Sequence, residues 1–420
     1  MNVMKKYKSY CLIFIIFILI FILLAYLSTY IPQSEVKGNM LTSAYYFKSF
    51  DKNYVSIGDR KIRDVYADTV SLNISYQLGQ NHNIRGILLS PFYMNLDYDE
   101  STRIFKSTFE QISNDRLGNY NYFRYWHGYV LLIRLAHLFM DVQGLYLMNF
   151  ILIAFLLFIL ICSLYYKGYK YEAFALLASY IAMRFYNINI SLEYAWIFIL
   201  NLVLCIVLVH SRIRDWDKLN KFLFISGMLT CYFDFLTCEI VNLYIPLLLF
   251  LSLTGYRGLS IKNIAKSTVI WGVAYSFTYI AKWCLIIALF GFDYAKTLFG
   301  RIGTRTLGGV DWTKDNMPYM KRIFMSLSFN IRFLGVAIIL ALIILVICYY
   351  VRFRNIDSTS RLLLLIALAP YARYLILLNH SIWHYFFTYR SQVITVFAVL
   401  LSIKGFMRIG DLRLIRSHKI

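Results

Sequence analysis

This chain lacks several features that are typical of a soluble globular protein. It has only 5 prolines in 420 residues, and 22 acidic residues stand against 43 basic ones. Charged residues make up 15% of the chain, whereas 60% are hydrophobic and 18% are aromatic. A soluble domain of this length cannot bury so much apolar surface, so the composition predicts a polytopic membrane protein.

Metal, disulfide and nucleotide motifs are missing as well. The seven cysteines are odd in number and show no metal-ligand spacing, and they lie in or beside apolar runs, which indicates a packing role. No Gly-rich phosphate loop occurs, which argues against nucleotide-sugar chemistry. The net charge of +21 does not indicate nucleic-acid binding, because the basic residues cluster beside apolar runs, where membrane orientation and anionic headgroups account for them.

Ten apolar stretches of helix length predict an all-α bundle of transmembrane helices. The first stretch has no small-residue cleavage site and is about twenty residues long, so it is expected to be an uncleaved span. The predicted spans lie near residues 11–30, 144–165, 172–186, 190–210, 222–238, 240–253, 268–290, 329–351, 362–378 and 392–403.

The distribution of Lys and Arg predicts the topology. Nearly every short basic connection falls on one side of the membrane, so the cell (plasma) membrane is the expected location, with both chain termini in the cytoplasm. The chain is then one membrane domain, 1–420, with extracytoplasmic loops at 31–143 and 291–322. Residues 122–140 are apolar but include Arg124, His127, Arg134 and His137. Counting them as a span would invert every later loop, so they are predicted to form an amphipathic helix on the outer surface.

Two carboxylates in the first loop are candidates for a general base. Asp64 and Asp68 lie in RDVYADTVSL and share one face if that segment is helical. A carboxylate at the boundary of water and lipid has a raised pKa, which suits proton abstraction. The alternative is that both are solvated loop acids, one of them paired with Arg63.

The RYWHGY segment at 124–129 combines a cation, an imidazole and three aromatic rings. Arg124, Trp126 and His127 suit phosphate pairing and sugar stacking, but aromatic residues also anchor helices at the membrane interface. On the predicted topology, further polar residues lie at the same outer face. They are Glu193, Asp234, Glu239, His380, His384 and Arg390. The histidine pair has helical spacing, which is compatible with a divalent metal or with hydrogen bonding to a substrate.

Two cations lie inside apolar runs. Lys282 and Arg373 are each near the outer end of a predicted span, where a buried charge is costly, so each is expected to face a cavity and an anionic group or to snorkel to the surface. Arg301 and Arg305, beside glycines in the second outer loop, are further candidates for holding a phosphate. The polar motifs together predict one extracytoplasmic active site.

The order of parts resembles the GT-C class of membrane glycosyltransferases. A cytoplasmic N-terminus is followed by one span, a long outer loop with an early carboxylate, and a helical bundle. The segments RDVYADTVSL, RYWHGY, YFDFLT and NHSIWHYFFTYR are also similar to motifs of a largely uncharacterised group of multi-spanning membrane proteins from Firmicutes. This closer resemblance covers most of the chain.

The GT-C resemblance implies transfer of a sugar from a polyprenyl-phosphate carrier to a glycan, lipid or protein of the cell envelope. It implies that the loop carboxylate deprotonates the acceptor, a role that falls on Asp68 by position, with Asp64 as its rival. The adjacent acidic pair of several GT-C families is absent here, since three residues separate the two carboxylates. The alternative functions are a polymerase or ligase of lipid-linked glycans and a transporter of lipids or glycans.

Overall fold

The computed structural model describes residues 3–57, 60–80, 82–306, 318–331 and 358–404. This part of the chain is mostly helical, and its strands form two small antiparallel sheets of two strands each. It includes five helices that are long and apolar enough to cross a membrane: Tyr7–Thr29, Val142–Tyr166, Ile261–Phe290, Ser358–Ile376 and Tyr385–Lys404. The protein is therefore a helical membrane protein.

The elements up to the second long helix are α1 (Val3–Thr29), α2 (Gln33–Lys48), β1 (Tyr54–Ile57), β2 (Arg60–Asp64), α3 (Val65–Leu78), α4 (Ile84–Leu89), β3 (Pro91–Phe92), α5 (Arg103–Asn114), β4 (Tyr120–Asn121), α6 (Tyr129–Ala136) and α7 (Val142–Tyr166). They are followed by α8 (Lys170–Ala182), α9 (Ala195–His210), α10 (Trp216–Phe233), α11 (Val241–Leu253), α12 (Ile261–Phe290), α13 (Asp293–Arg305) and α14 (Tyr319–Ile331). The last are α15 (Ser358–Ala367), α16 (Ala369–Ile376), α17 (Leu378–Trp383), α18 (Tyr385–Thr388) and a helical stretch at 393–404.

Helices coincide with nine of the ten predicted spans, but only five of them meet the length and hydropathy expected of a span. The helices α8, α9 and α11 contain 13, 16 and 13 residues, which is shorter than the roughly 20 that a membrane requires. The predicted span at 329–351 lies outside the described residues apart from the end of α14. The number of spans therefore stays a prediction.

Residues 122–140 differ from the predicted surface helix. Only Tyr129–Ala136 is helical, and the preceding RYWHGY residues form an irregular segment. The side chains of Arg134 and His137 are both 0% exposed, so this helix lies inside the protein with Leu135 on its exposed side. The prediction of an exposed amphipathic helix was wrong: Arg134 binds backbone carbonyls of neighbouring elements, and the ring nitrogens of His137 bond to the Ile133 carbonyl of the same helix and to the Ser43 hydroxyl.

Arg134 joins three segments that are distant in sequence. Its Nε donates to the carbonyl oxygen of Ser28 at 2.9 Å, and its guanidinium nitrogens donate to the carbonyls of Ile31 at 2.6 Å and Ser75 at 2.8 Å. A further bond of 3.0 Å reaches Oε1 of Gln33. Carbonyl groups at and just after the end of α1, which have no partner within the helix, are thereby satisfied in a buried site.

The helices α10 and α12 approach each other closely at Gly227. A Cβ atom at this position would lie 2.6 Å from the carbonyl oxygen of Trp271 and 3.0 Å from Ala274. Glycine is therefore required for this contact, which supports the middle of α12 at the level of the motifs described below. At the start of α12, the Ser260 side chain accepts a hydrogen bond of 3.2 Å from the backbone N–H of Asn263.

Replacing Arg134 tests its role in the fold. We expect Arg134→Met to lower the apparent melting temperature of the detergent-solubilised protein by several degrees, because it leaves three buried carbonyls without donors, at about 1 kcal/mol or more each. Arg212→Met, at an exposed position, serves as the control and is expected to melt like the native chain. Equal melting temperatures of the two variants would contradict the structural role of Arg134.

Candidate functional site

The four sequence motifs contact one another. The ring of Phe235 in YFDFLT lies 4.9 Å from the ring of Tyr129 in RYWHGY. In the C-terminal motif, Nε2 of His380 donates to the carbonyl of Leu236 at 2.5 Å. The strand β2 leads into RDVYADTVSL, and the backbone N–H of Lys61 in this strand donates to the hydroxyl of Tyr385 in the C-terminal motif at 2.9 Å. One site is therefore built from segments up to 324 residues apart.

Asp68 is held by three donors inside the protein. Its Oδ2 accepts a hydrogen bond of 2.6 Å from the Tyr146 hydroxyl and faces an Arg63 nitrogen at 3.4 Å, while Oδ1 accepts from the backbone N–H of Leu192 at 2.7 Å. The side chain is 0% exposed, so Asp68 is not a solvated loop acid. Burial raises the pKa of the Asp68 carboxyl, and the Arg63 charge and the hydrogen bonds oppose this shift.

Asp64 has a different environment at the start of α3. Its Oδ1 accepts the N-cap hydrogen bond from the backbone N–H of Ala67 at 2.9 Å, and the residue retains 4% exposure. Burial raises the pKa of the Asp64 carboxyl from 3.8 to about 7. No described ion pair includes Asp64, so its carboxylate has fewer described partners than that of Asp68.

The RYWHGY segment is fixed by α12. Nζ of Lys282 donates to the carbonyl of Tyr125, and Nε1 of Trp283 donates to the carbonyl of Arg124 at 3.1 Å. In the other direction, Nε1 of Trp126 donates to the carbonyl of Thr278 at 2.8 Å. Lys282 was predicted to face a cavity and an anionic group; instead it is 1% exposed and bound to a backbone carbonyl. The Trp126 ring is buried in the core, so this residue anchors the segment from inside.

His127 and Gly128 shape the end of the same segment. Nε2 of His127 donates to the carbonyl of Tyr122 at 2.6 Å, which leaves Nδ1 to accept from the Tyr129 hydroxyl at 2.7 Å. Burial and the nearby Lys282 charge lower the pKa of His127 well below its ordinary value, so the ring is neutral. A Cβ at Gly128 would collide with the ring of Tyr232, and glycine is therefore required there.

The acidic side chains in and beside YFDFLT, Asp234 and Glu239, have hydrogen-bond or ion-pair partners within the protein. Both oxygens of Asp234 accept hydrogen bonds from the turn that follows it, including one of 2.9 Å from the backbone N–H of Leu236, and Oδ2 also accepts from Tyr275 at 2.7 Å. Glu239 binds Arg373 through two contacts of 2.6 and 2.9 Å. The anionic group that was predicted for Arg373 is thus a carboxylate of this chain.

The remaining predicted site residues lie around this centre. Glu193 is 7% exposed in the turn before α9, and its charge, with that of Asp68, adds to burial in raising the pKa of Tyr129. Arg390 lies between the rings of Tyr194 and Tyr389, at 4.7 and 4.9 Å. Arg305 is the last residue of α13, and its side chain lies outside the described part of the structure.

The histidine pair does not form a metal site within the described residues. The rings of His380 and His384 lie 4.5 Å apart between centroids, but Nε2 of His380 already binds a backbone carbonyl. In the part of the chain that the structure describes, no group of three or more His, Cys, Asp or Glu side chains could hold a metal ion.

Two cavities meet at Arg124. The first, of about 320 Å³, lies between α12 and the loops at Tyr125 and Leu236, and its walls are almost entirely apolar. The second, of about 240 Å³, is formed by α3 and the β3–β4 sheet, with Tyr66 and Tyr122 among its walls. Arg124 contributes to both cavities, and none of the described ion pairs includes it.

Tyr66 lies within the electrostatic influence of both Arg124 and Asp64. Burial and the Asp64 charge raise the pKa of Tyr66, and the Arg124 charge opposes that shift, so both charged groups act on this one side chain. Tyr66 was missed in the sequence, although it stands two residues after Asp64. Tyr146 and the Leu192 amide were also missed, because nothing in the sequence marks a contact across 78 or 124 residues.

Comparison of the chain with protein-family models, with curated proteins and with solved structures gives no match.

The different environments of the two aspartates lead to a test by pH. Asp64→Asn keeps the N-cap acceptor but removes the titration. Because the folded state raises the pKa from 3.8 to about 7, it holds the proton more tightly than the unfolded chain, so native stability falls as pH rises through this window. We expect Asp64→Asn to gain several degrees of melting temperature over the native protein between about pH 4 and pH 8.

The control for this titration is Asp99→Asn, at an exposed loop position. Its melting curve should follow that of the native protein at every pH. A constant difference between Asp64→Asn and the native protein across the range would contradict the raised pKa of Asp64.

Proposed function

We propose that this protein is a membrane glycosyltransferase that moves a sugar from a polyprenyl-phosphate carrier to a glycan, lipid or protein of the cell envelope. The proposal includes a GT-C-like bundle of about ten spans with both termini in the cytoplasm and the site at the outer face. Its support is the five membrane-length helices, the additional short apolar helices, and the grouping of the polar motifs in one region.

The observation that carries the proposal is the apolar cavity with Arg124 at its edge. Ser276 and Ile280 contribute to its wall and are exposed on α12, which has the length and composition of a span. The cavity is therefore open on a face that lipid would cover, which is how an isoprenoid chain could enter it sideways. An arginine beside such a chain is suited to bind the phosphate that follows it.

The carboxylates have separate roles in this mechanism. Asp64 takes the proton of an acceptor hydroxyl, the acceptor oxygen attacks the anomeric carbon, and the bond from that carbon to the phosphate oxygen breaks with inversion. Polyprenyl phosphate leaves with its negative charge stabilised by Arg124. A pKa of about 7 suits Asp64 as a base near neutral pH. Asp68, saturated by three donors, positions α3 and the turn at Leu192.

A reconstituted transfer assay tests this function. The full-length protein in detergent is given a polyprenyl-phosphate sugar and envelope acceptors, and transfer of the sugar is followed by mass. We expect Asp64→Asn to lower kcat by about 10² to 10⁴ with little change in donor binding. We expect Arg124→Gln to lower kcat/KM for the donor by about 10² or more, because it removes the cation at the leaving phosphate.

Arg116→Gln, at an exposed arginine paired with Glu110, is the matched control and should transfer like the native protein. Turnover of nucleotide sugars without turnover of any lipid-linked sugar would contradict the proposal. Formation of longer glycans from a lipid-linked oligosaccharide would favour a polymerase, and movement of the lipid across a vesicle membrane without transfer would favour a transporter.

A further inference from the structure

The second cavity at Arg124 has a composition unlike that of the first. Five aromatic residues contribute to its walls, Tyr66, Phe92, Tyr120, Tyr122 and Phe123, together with Asn121. Tyr120 and Asn121 are exposed at the β4 strand, whereas Phe92 is 6% exposed. The cavity therefore has a buried aromatic floor and is accessible from the outer-loop side of the protein.

Aromatic faces with a few hydrogen-bonding groups suit a sugar ring. A pyranose presents apolar C–H groups on its faces and hydroxyls at its edge, and it can stack on one ring while it bonds to polar groups around it. The rings of Phe92 and Tyr120 lie 5.9 Å apart between centroids, and those of Phe92 and Tyr122 lie 6.3 Å apart. The hydroxyls of Tyr66 and Tyr120 and the Asn121 amide supply donors and acceptors.

Arg124 borders both cavities and so lies where they meet. Its guanidinium lies 4.6 Å from the ring centroid of Tyr122, a wall of the second cavity, and the same side chain borders the apolar one. A lipid-linked sugar has three parts in a fixed order, an isoprenoid, a phosphate and a sugar. The site has three parts in the matching order: the apolar cavity for the isoprenoid, Arg124 for the phosphate and the aromatic cavity for the sugar.

The charges of the second cavity restrict the kind of sugar. Among the described residues that form its walls, Arg124 is the one charged side chain. If Arg124 binds the phosphate, then no other described wall residue carries a charge that could neutralise the carboxylate of a uronic acid or the ammonium of an amino sugar. Binding either of them would leave a charge without a partner in a partly buried site.

We propose that the aromatic cavity binds the sugar ring of the donor and selects an uncharged sugar. This inference rests on the proposed function and adds to it the location of the sugar and its chemical class. Tyr120 is the specificity residue, because its ring is at the mouth of the cavity and its backbone, paired with Phe92, keeps the strand in place when the side chain changes.

The test compares the affinities of the solubilised full-length protein for four probes. They are a short-chain polyprenyl phosphate without a sugar and the same lipid carrying glucose, glucuronic acid or glucosamine. We expect the glucose lipid to bind more tightly than the bare lipid and than the two charged ones. Tyr120→Ala should reduce the advantage of the glucose lipid over the bare lipid by roughly two- to tenfold, with the affinity for the bare lipid unchanged.

Tyr120→Phe keeps the ring and should retain most of this advantage, and Tyr45→Ala, at a tyrosine that is 69% exposed outside both cavities, should retain all of it. Unchanged affinity for the bare lipid also demonstrates that Tyr120→Ala is folded. Equal binding of bare and glucose lipids, or tightest binding of a charged sugar, would overturn this inference alone. Failure of every lipid phosphate to bind would overturn the proposed function and this inference with it.

Discussion

The site depends on how the irregular RYWHGY backbone is satisfied next to the membrane-spanning helices. A buried non-helical segment must find hydrogen-bond partners within the protein, because its backbone groups would otherwise be left unsatisfied. Here α12 supplies them: Lys282 and Trp283 donate to successive carbonyls, and the carbonyl of Thr278 accepts from Trp126. The segment is thereby held in an open loop, and Arg124 is presented between two cavities. A regular helix in this place would have no such loop between the cavities.

The sequence predicted much of this arrangement. The helical membrane class followed from composition, and the grouping of RDVYADTVSL, RYWHGY, YFDFLT and NHSIWHYFFTYR followed from charge-based threading, because segments at the same end of a bundle are near one another. The partners of the buried charges could not be predicted. Arg373 pairs with Glu239 across 134 positions, and Lys282 binds a carbonyl 157 positions away. Such contacts depend on which helix faces turn toward each other, and hydropathy does not encode this.

The two aspartates illustrate the same limit. Their spacing predicted a shared face if the segment is helical; in the structure Asp64 is the N-cap residue of α3 and Asp68 lies in its first turn, and the spacing could not distinguish their roles. The distinction comes from elements far along the chain, since Tyr146 and the Leu192 amide both bind Asp68 and neither binds Asp64. The Arg63 charge and the hydrogen bonds oppose the rise in the pKa of Asp68 that burial causes, and both of its oxygens already have partners, which suits a structural role. Asp64, with its N-cap bond and residual exposure, retains the freedom that a base requires.

The distribution of charge also explains why Arg124 has the central part in the proposed mechanism. Catalysis of a phosphate departure requires a cation whose charge is not already neutralised, since a paired cation gains little when the leaving group becomes negative. Arg373 is neutralised by Glu239, and Lys282 is enclosed against a backbone carbonyl at 1% exposure. Arg390, stacked between two tyrosines, does not border either cavity. Arg124, by contrast, borders both cavities and takes part in no described ion pair, so its charge is available where an anionic ligand would lie.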